Sequence, residues 1–146
     1  MSVRLAASPR RRDLPRVDRR RLRVRGERVL AELCHAGSEL SVALVDDATM
    51  ATLNTAWRRR RGPTDVLAFS LLEGAHAEHR GSLLGDVVIS LETAARQARR
   101  ARRSLDDEVA RLLAHGVLHL LGHDHQRPAE RRAMRGEERR LWRAIA

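Results

Sequence analysis

Two hydrophobic periods alternate along the chain. ELSVALVD (39–46) places apolar side chains at every second position and is rich in valine and leucine, the pattern of a strand with one face buried. VLAFSLL (66–72) and LLGDVVIS (83–90) are two further strands, joined by the polar, hairpin-compatible loop EGAHAEHRGS (73–82). VRLAA (3–7) is a short first strand. Between them the period changes to that of a helix. Leu22, Val29, Leu30 and Leu33 mark a helix over about 18–35, with Gly37 as its stop. Met50, Leu53 and Trp57 mark the next, capped by Asp46 or Asp47 and broken at Gly62-Pro63. An alanine- and arginine-rich helix spans 91–103. Ser104 with Asp107 three residues on resembles a capping box, so a new helix begins there, carries Val109, Leu112, Leu113, Val117 and Leu120, and ends at Gly122. A last helix starts at Pro128, tolerated in a first turn, and runs to Ile145.

This order predicts one α+β domain over residues 1–146: a mixed sheet of about four strands packed with about five helices. Residues 1–20 form an Arg-rich N-terminus with little apolar periodicity beyond the first strand, open either to flexibility or to a role as an arm that binds a polyanion. No run approaches the roughly 20 apolar residues of a membrane helix, and no apolar segment of a secretory signal stands at the start. The lone Cys34 cannot form an internal disulfide, which fits a reducing cytoplasm, and it falls on an apolar helical face as core filler.

Charge changes the picture more than composition does. The net charge is +10, and every one of the 29 basic residues is arginine. A surplus of that size favours polyanionic partners through phosphate contacts and counterion release. A GC-rich coding bias would also raise arginine, so charge alone does not establish nucleic-acid binding. With Trp57, Trp142 and Phe69 as the only aromatics, any such binding rests on arginine rather than on stacking platforms.

The chemistry is concentrated in HGVLHLLGHDH (115–125), which holds four of the seven histidines. His115 and His119 are one helical turn apart and project from one face, so both imidazoles can reach one ion. Gly122 turns the chain out of the helix, and His125 then swings back as a third ligand. Three neutral imidazoles favour zinc, and a fourth position open to water marks a catalytic site. His123 is available as a rival ligand, although two residues from His125 it is expected to point elsewhere. Asp124 suits hydrogen bonding behind a ligand or across the turn. The spacing HxxxHxxGxxH is that of the metzincin proteases, but the glutamate that serves such enzymes as general base is replaced here by Gly116. Hydrolysis of a phosphodiester, with arginine stabilising the pentavalent phosphate, fits better than hydrolysis of a peptide.

Three segments in order extend this reading: LNTAWRRRRGPTDVLAFS (53–70), LLGDVVIS (83–90), and HGVLHLLGHDH followed by Met134 and Glu138. Together they resemble the YbeY endoribonucleases, bacterial rRNA maturation factors, over about residues 39–141. The resemblance implies a metal-dependent single-strand endoribonuclease that matures the 3′ end of small-subunit rRNA and serves ribosome quality control. It implies one Zn²⁺ per chain on His115, His119 and His125, with RNA and the small ribosomal subunit as partners. Arg58 matches the family's motif arginine, which meets the RNA backbone. Asn54, Thr64, Asp65 and Asp86 match motif positions whose roles are structural or in the substrate cleft. Pro-Thr-Asp leading into a strand is a hydrogen-bonding turn in its own right, and Asp86 either braces the site or caps the sheet. His123 stands where the family carries tyrosine or phenylalanine, and Ala68 where it carries serine. Two other readings remain: a metallohydrolase of another class such as a protease, which Gly116 opposes, and a non-catalytic ribosome-associated protein with a structural zinc.

Overall fold

The computed structural model describes residues 3–7, 13–58, 64–70, 83–122 and 127–146. The loop at 73–82, Gly62-Pro63, and the segment carrying His123, Asp124 and His125 lie outside these residues, as do the side chains of Ala7 and Arg58.

Four strands, β1 (Val3–Ala7), β2 (Glu39–Val45), β3 (Val66–Ser70) and β4 (Leu83–Ser90), form one mixed sheet in the order β1-β2-β4-β3. β1 and β4 run parallel to β2, while β3 pairs antiparallel with β4, as expected of hairpin partners. The N-terminal stretch thus supplies an edge strand. Among the described residues five helices accompany the sheet: α1 (Arg19–Glu32), α2 (Asp47–Arg58), α3 (Leu91–Ala101), α4 (Leu105–Leu120) and α5 (Pro128–Ile145).

Strand alternation divides the core. Leu40, Val42, Leu44, Val87 and Ile89 face a large core shared with α1, α4 and α5. Val45, Val88, Leu67 and Met50 form a smaller core beneath α2 on the opposite face. Trp57, at the end of α2, is 69% exposed despite its helical spacing with Met50, and its ring meets Phe69 edge-on at 6.1 Å.

Four helices begin on a side-chain cap, two of these caps being the expected Asp46 and Ser104. Asp18 accepts from the Arg21 amide, Asp46 from the Thr49 amide, Ser90 from the Thr93 amide and Ser104 from the Asp107 amide, each satisfying an orphan donor of a first turn. Asp107 does not reach back to complete the capping box. Its carboxylate instead pairs with the buried Arg25 at 2.9 Å and ties α4 to α1.

The expectation for Cys34 is corrected. α1 stops at Glu32, and Cys34 lies beyond it, exposed, at φ +62°. The amides of His35 and Cys34 reach back to the carbonyls of Leu30 and Ala31, the Schellman pattern that glycine usually closes. Gly37 is therefore not the stop. Arg102 closes α3 in the same left-handed way at φ +54°.

Candidate metal centre and its comparisons

The histidines of α4 depend on how that helix meets the sheet. Gly116 is buried against it: a Cβ there would lie 2.7 Å from Cγ1 of Val87 and 3.3 Å from Cγ2 of Val66. The missing side chain lets α4 settle onto β3 and β4. It also shows where a glutamate at this position would go, into the sheet against Val87, where an unpaired carboxylate is costly. One turn further along the helix the Ser70 hydroxyl donates to the Leu120 carbonyl at 3.1 Å, tying β3 to the last turn. The amides of Leu121 and Gly122 close that turn, and Gly122 leaves it at φ +93°, a conformation that suits glycine.

With α4 seated this way, His115 and His119 rise half-buried from one flank of the helix, roughly 60–100° around it from Gly116. Their rings cross at 67° with centroids 4.7 Å apart, and the two Nε2 atoms approach to 3.1 Å. On its other nitrogen, Nδ1, His115 is hydrogen-bonded to Oε1 of Glu138 on α5. A carboxylate only accepts, so Nδ1 carries the hydrogen, and in the neutral ring Nε2 keeps its lone pair. The hydrogen bond from His115 holds the Glu138 carboxyl below the usual range against the opposing effect of burial, helped by the charges of His115, His119 and Arg111.

This donor set fits a divalent ion. Two nitrogens held about 2.0–2.1 Å from one tetrahedral zinc stand about 3.3 Å apart, close to the 3.1 Å between the two Nε2 atoms. A carboxylate behind the far nitrogen of a ligating histidine fixes the tautomer that binding needs. Among the described residues no three His, Cys, Asp or Glu side chains are gathered as a metal site, and the third expected ligand, His125, lies outside them, as do His123 and Asp124.

The other expected residues fall in three places. Asp65 accepts from the Val66 amide at 2.8 Å, from the Thr64 hydroxyl at 3.4 Å and from Gln97 Nε2 at 3.2 Å, so the Thr-Asp pair organises the entry to β3. Asp65 also borders, with His115 and Glu138, a cavity of about 170 Å³. Asn54 is buried on α2. Asp86 lies opposite Phe69, and strand alternation puts it on the α2 face of the sheet, away from the α4 histidines. Arg58 is the final residue of α2.

Sequence reasoning placed Glu138 only as a motif offset. Its link to His115 spans 23 residues, and no local period reveals it. The available signal was Met134, one turn earlier and now buried, which fixes the α5 face that turns toward α4.

Known proteins resemble this chain over most of its length. The family model for Endoribonuclease YbeY matches residues 13–146. A protein named Endoribonuclease YbeY from Anaeromyxobacter dehalogenans is 53% identical over 125 residues, covering 86% of this chain and 63% of that protein. One of the same name from Anaeromyxobacter sp. is 50% identical over 145 residues, covering 99% of this chain and 72% of its own length. In a third, from Myxococcus xanthus, 48% identity over 112 residues covers 77% of this chain and 38% of the relative. The chain therefore spans less than two thirds of the length of the first and third of these relatives. The solution structure of a Thermotoga maritima protein superposes with a TM-score of 0.63 over 98% of this chain and 88% of that one, at 20% identity, a likeness of fold. With the sequence motifs, the fold and the family match in agreement, the chain belongs to the Endoribonuclease YbeY family.

Proposed function

We propose that this chain is a zinc-dependent endoribonuclease that hydrolyses phosphodiesters in single-stranded RNA, acting in the cytoplasm on the 3′ end of small-subunit rRNA and in ribosome quality control. The observation that carries this reading is the pair of Nε2 atoms at 3.1 Å, one of them backed by Glu138, in a chain of this family. His115, His119 and His125 hold one ion, and Asp124 and His123 flank the third ligand. When bound, the ion supplies Lewis acidity to a water and to a phosphoryl oxygen.

The remaining work falls to the protein. Glu138 holds the His115 ring in one tautomer and one orientation. Arg58, at the end of α2, offers a guanidinium to a phosphate, whose developing negative charge a planar, permanently charged group stabilises. Thr64 and Asp65 order the strand entry beside the cavity, and Asn54, buried on α2, and Asp86, on the sheet face under that helix, take structural roles there. The surface supports a polyanionic partner: the end of α3 exposes Arg99, Arg100, Arg102 and Arg103, and α5 exposes a further set of arginines. The small ribosomal subunit supplies such an RNA surface. Gly116 favours this chemistry over proteolysis, since its position faces Val87 and offers no place for a protease's general base. Among the described residues no helix is long and apolar enough to cross a membrane.

Purified protein with one equivalent of zinc should cleave an unstructured RNA, and chelation or His115→Ala should abolish cleavage, with added zinc restoring only the chelated wild type. Cleavage that survives both chelation and His115→Ala would overturn the proposal.

A further inference from the structure

The cavity of about 170 Å³ beside His115 extends along the histidine face of α4 toward its N-terminus. Its charged lining comes from three elements besides the strand entry: Arg103 after α3, Glu108 and Arg111 on α4, and Glu138 on α5, with Asp65 at the rim. Most of these groups are satisfied within the protein. Glu108 pairs with Arg103 at 2.8 Å, Asp65 takes the Val66 amide and Gln97, and Glu138 takes His115. Arg111 differs. Its guanidinium stacks 4.6 Å over the Trp142 ring, yet it hydrogen-bonds to no described residue, and its Nε is buried without an acceptor. The Nε is closed off from the cavity, so the donors left for an occupant are the two terminal nitrogens, which no described residue accepts from.

The charge balance indicates what kind of group that is. Three carboxylates against two guanidiniums give the carboxylate and arginine groups of the lining an excess of one negative charge, which disfavours a phosphate as the occupant. The same set offers fixed acceptors and an unused planar donor fork around a flat, stacked wall. A comparable volume of about 150 Å³ admits a single aromatic ring system. We propose that this cavity is a nucleobase subsite, in which Arg111 and the neighbouring carboxylates read a base bearing acceptors and donors on its edges, guanine being the best match. Guanine presents O6 and N7 to an arginine fork, and its N1–H and N2–H groups donate to carboxylates. At about 100° per residue, Arg135 and Arg139 follow Trp142 around α5, both exposed, where the sugar-phosphate chain leaving the cavity meets positive charge. The inference rests on the RNA reading above and assigns the cleavage reaction a preference for the base beside the scissile bond.

The test is direct ligand binding to the full chain. The two indole N–H resonances are told apart with Trp57→Phe, and the Trp142 signal is followed during titration with guanosine, adenosine or cytidine 5′-monophosphate, or with inorganic phosphate. Guanosine monophosphate should shift the Trp142 resonance and bind about ten-fold more tightly than cytidine monophosphate. Arg111→Met should remove the shift, and Arg111→Lys, which keeps the charge but loses the fork, should remove the preference. Both variants should retain the wild-type dispersion of core resonances, which shows that they fold. Equal binding of all four ligands, a response to inorganic phosphate matching that of the nucleotides, or no response at all would each overturn the subsite. RNA cleavage is scored separately: a protein that binds guanosine monophosphate but cuts no RNA keeps the subsite and loses the nuclease.

Discussion

Two carboxylates in this fold sit among donors, and they are used in opposite ways. Asp47, in the first turn of α2, accepts from the Ser90 and Thr93 hydroxyls at 2.6 Å each and from Arg96 at 2.8 Å, while its own amide donates to Glu92. Burial pushes its carboxyl up, but the donors from Ser90, Thr93 and Arg96 outweigh that and hold it below the ordinary value. Every one of these partners belongs to the junction of α2, β4 and α3, so the cluster closes on itself. Glu138 accepts from one side of an imidazole whose other side is turned toward a second imidazole. The first arrangement spends its hydrogen bonds on the scaffold. The second, on the proposed function, uses one hydrogen bond to leave a nitrogen lone pair for an ion. Charge and burial alone would not separate them; what each donor does with its remaining valence does.

The comparison can be broken from either side. The largest effect is expected at the site: Glu138→Ala should weaken zinc binding by roughly 10–100-fold, measured by competition with a chromophoric chelator. Stability of the metal-free protein should move by no more than about 1 kcal/mol. Glu138→Gln, which still offers an acceptor, should lose less affinity. If Glu138→Ala lowered metal-free stability strongly and left zinc affinity intact, the two carboxylates would share the scaffold role. At the junction the opposite result is expected. Asp47→Ala should cost about 1–3 kcal/mol in denaturant unfolding, because the fully buried Ser90 loses its acceptor, with zinc affinity unchanged.

The smallest effect is the pH dependence of that stabilisation. A carboxyl whose folded pKa lies below its reference of 3.8 binds protons more readily when unfolded. Its contribution is therefore fully present above that reference value and is lost as pH falls through the lower folded value. The stability gap between wild type and Asp47→Asn should be constant near neutrality and narrow below about pH 4. A gap that widened on acidification would contradict the assignment.

Much of this architecture was legible because its causes are local. Alternation in ELSVALVD, the caps at Asp46 and Ser104, and the turn at Gly122 all act within a few residues, and the structure carries each of them. The i, i+4 spacing of His115 and His119 likewise needed only the helical period to bring the rings together. What was not legible is long-range. Cys34 seemed to continue an apolar face because a left-handed cap closed by a residue other than glycine leaves little mark in the sequence. Gly116 was read for the glutamate it lacks, whereas its position is also set by Val66 and Val87, contributed by two strands earlier in the chain. Nothing local distinguishes Arg25 from the other arginines of its stretch. It is buried, paired with Asp107 and lies 5.4 Å over Trp142, partners that only the packing of α1, α4 and α5 supplies.

The central claim is that His115 and His119, completed by His125, form a centre with a position left open to solvent. X-ray absorption at the zinc edge of protein loaded with one equivalent of zinc tests it most directly. The account predicts three imidazole nitrogens and one non-protein oxygen at about 2.0–2.1 Å, with one nitrogen lost in His125→Ala. A fourth imidazole from His123 would make the centre closed and structural, and a shell unchanged by His125→Ala would remove the third ligand; either result would contradict the account.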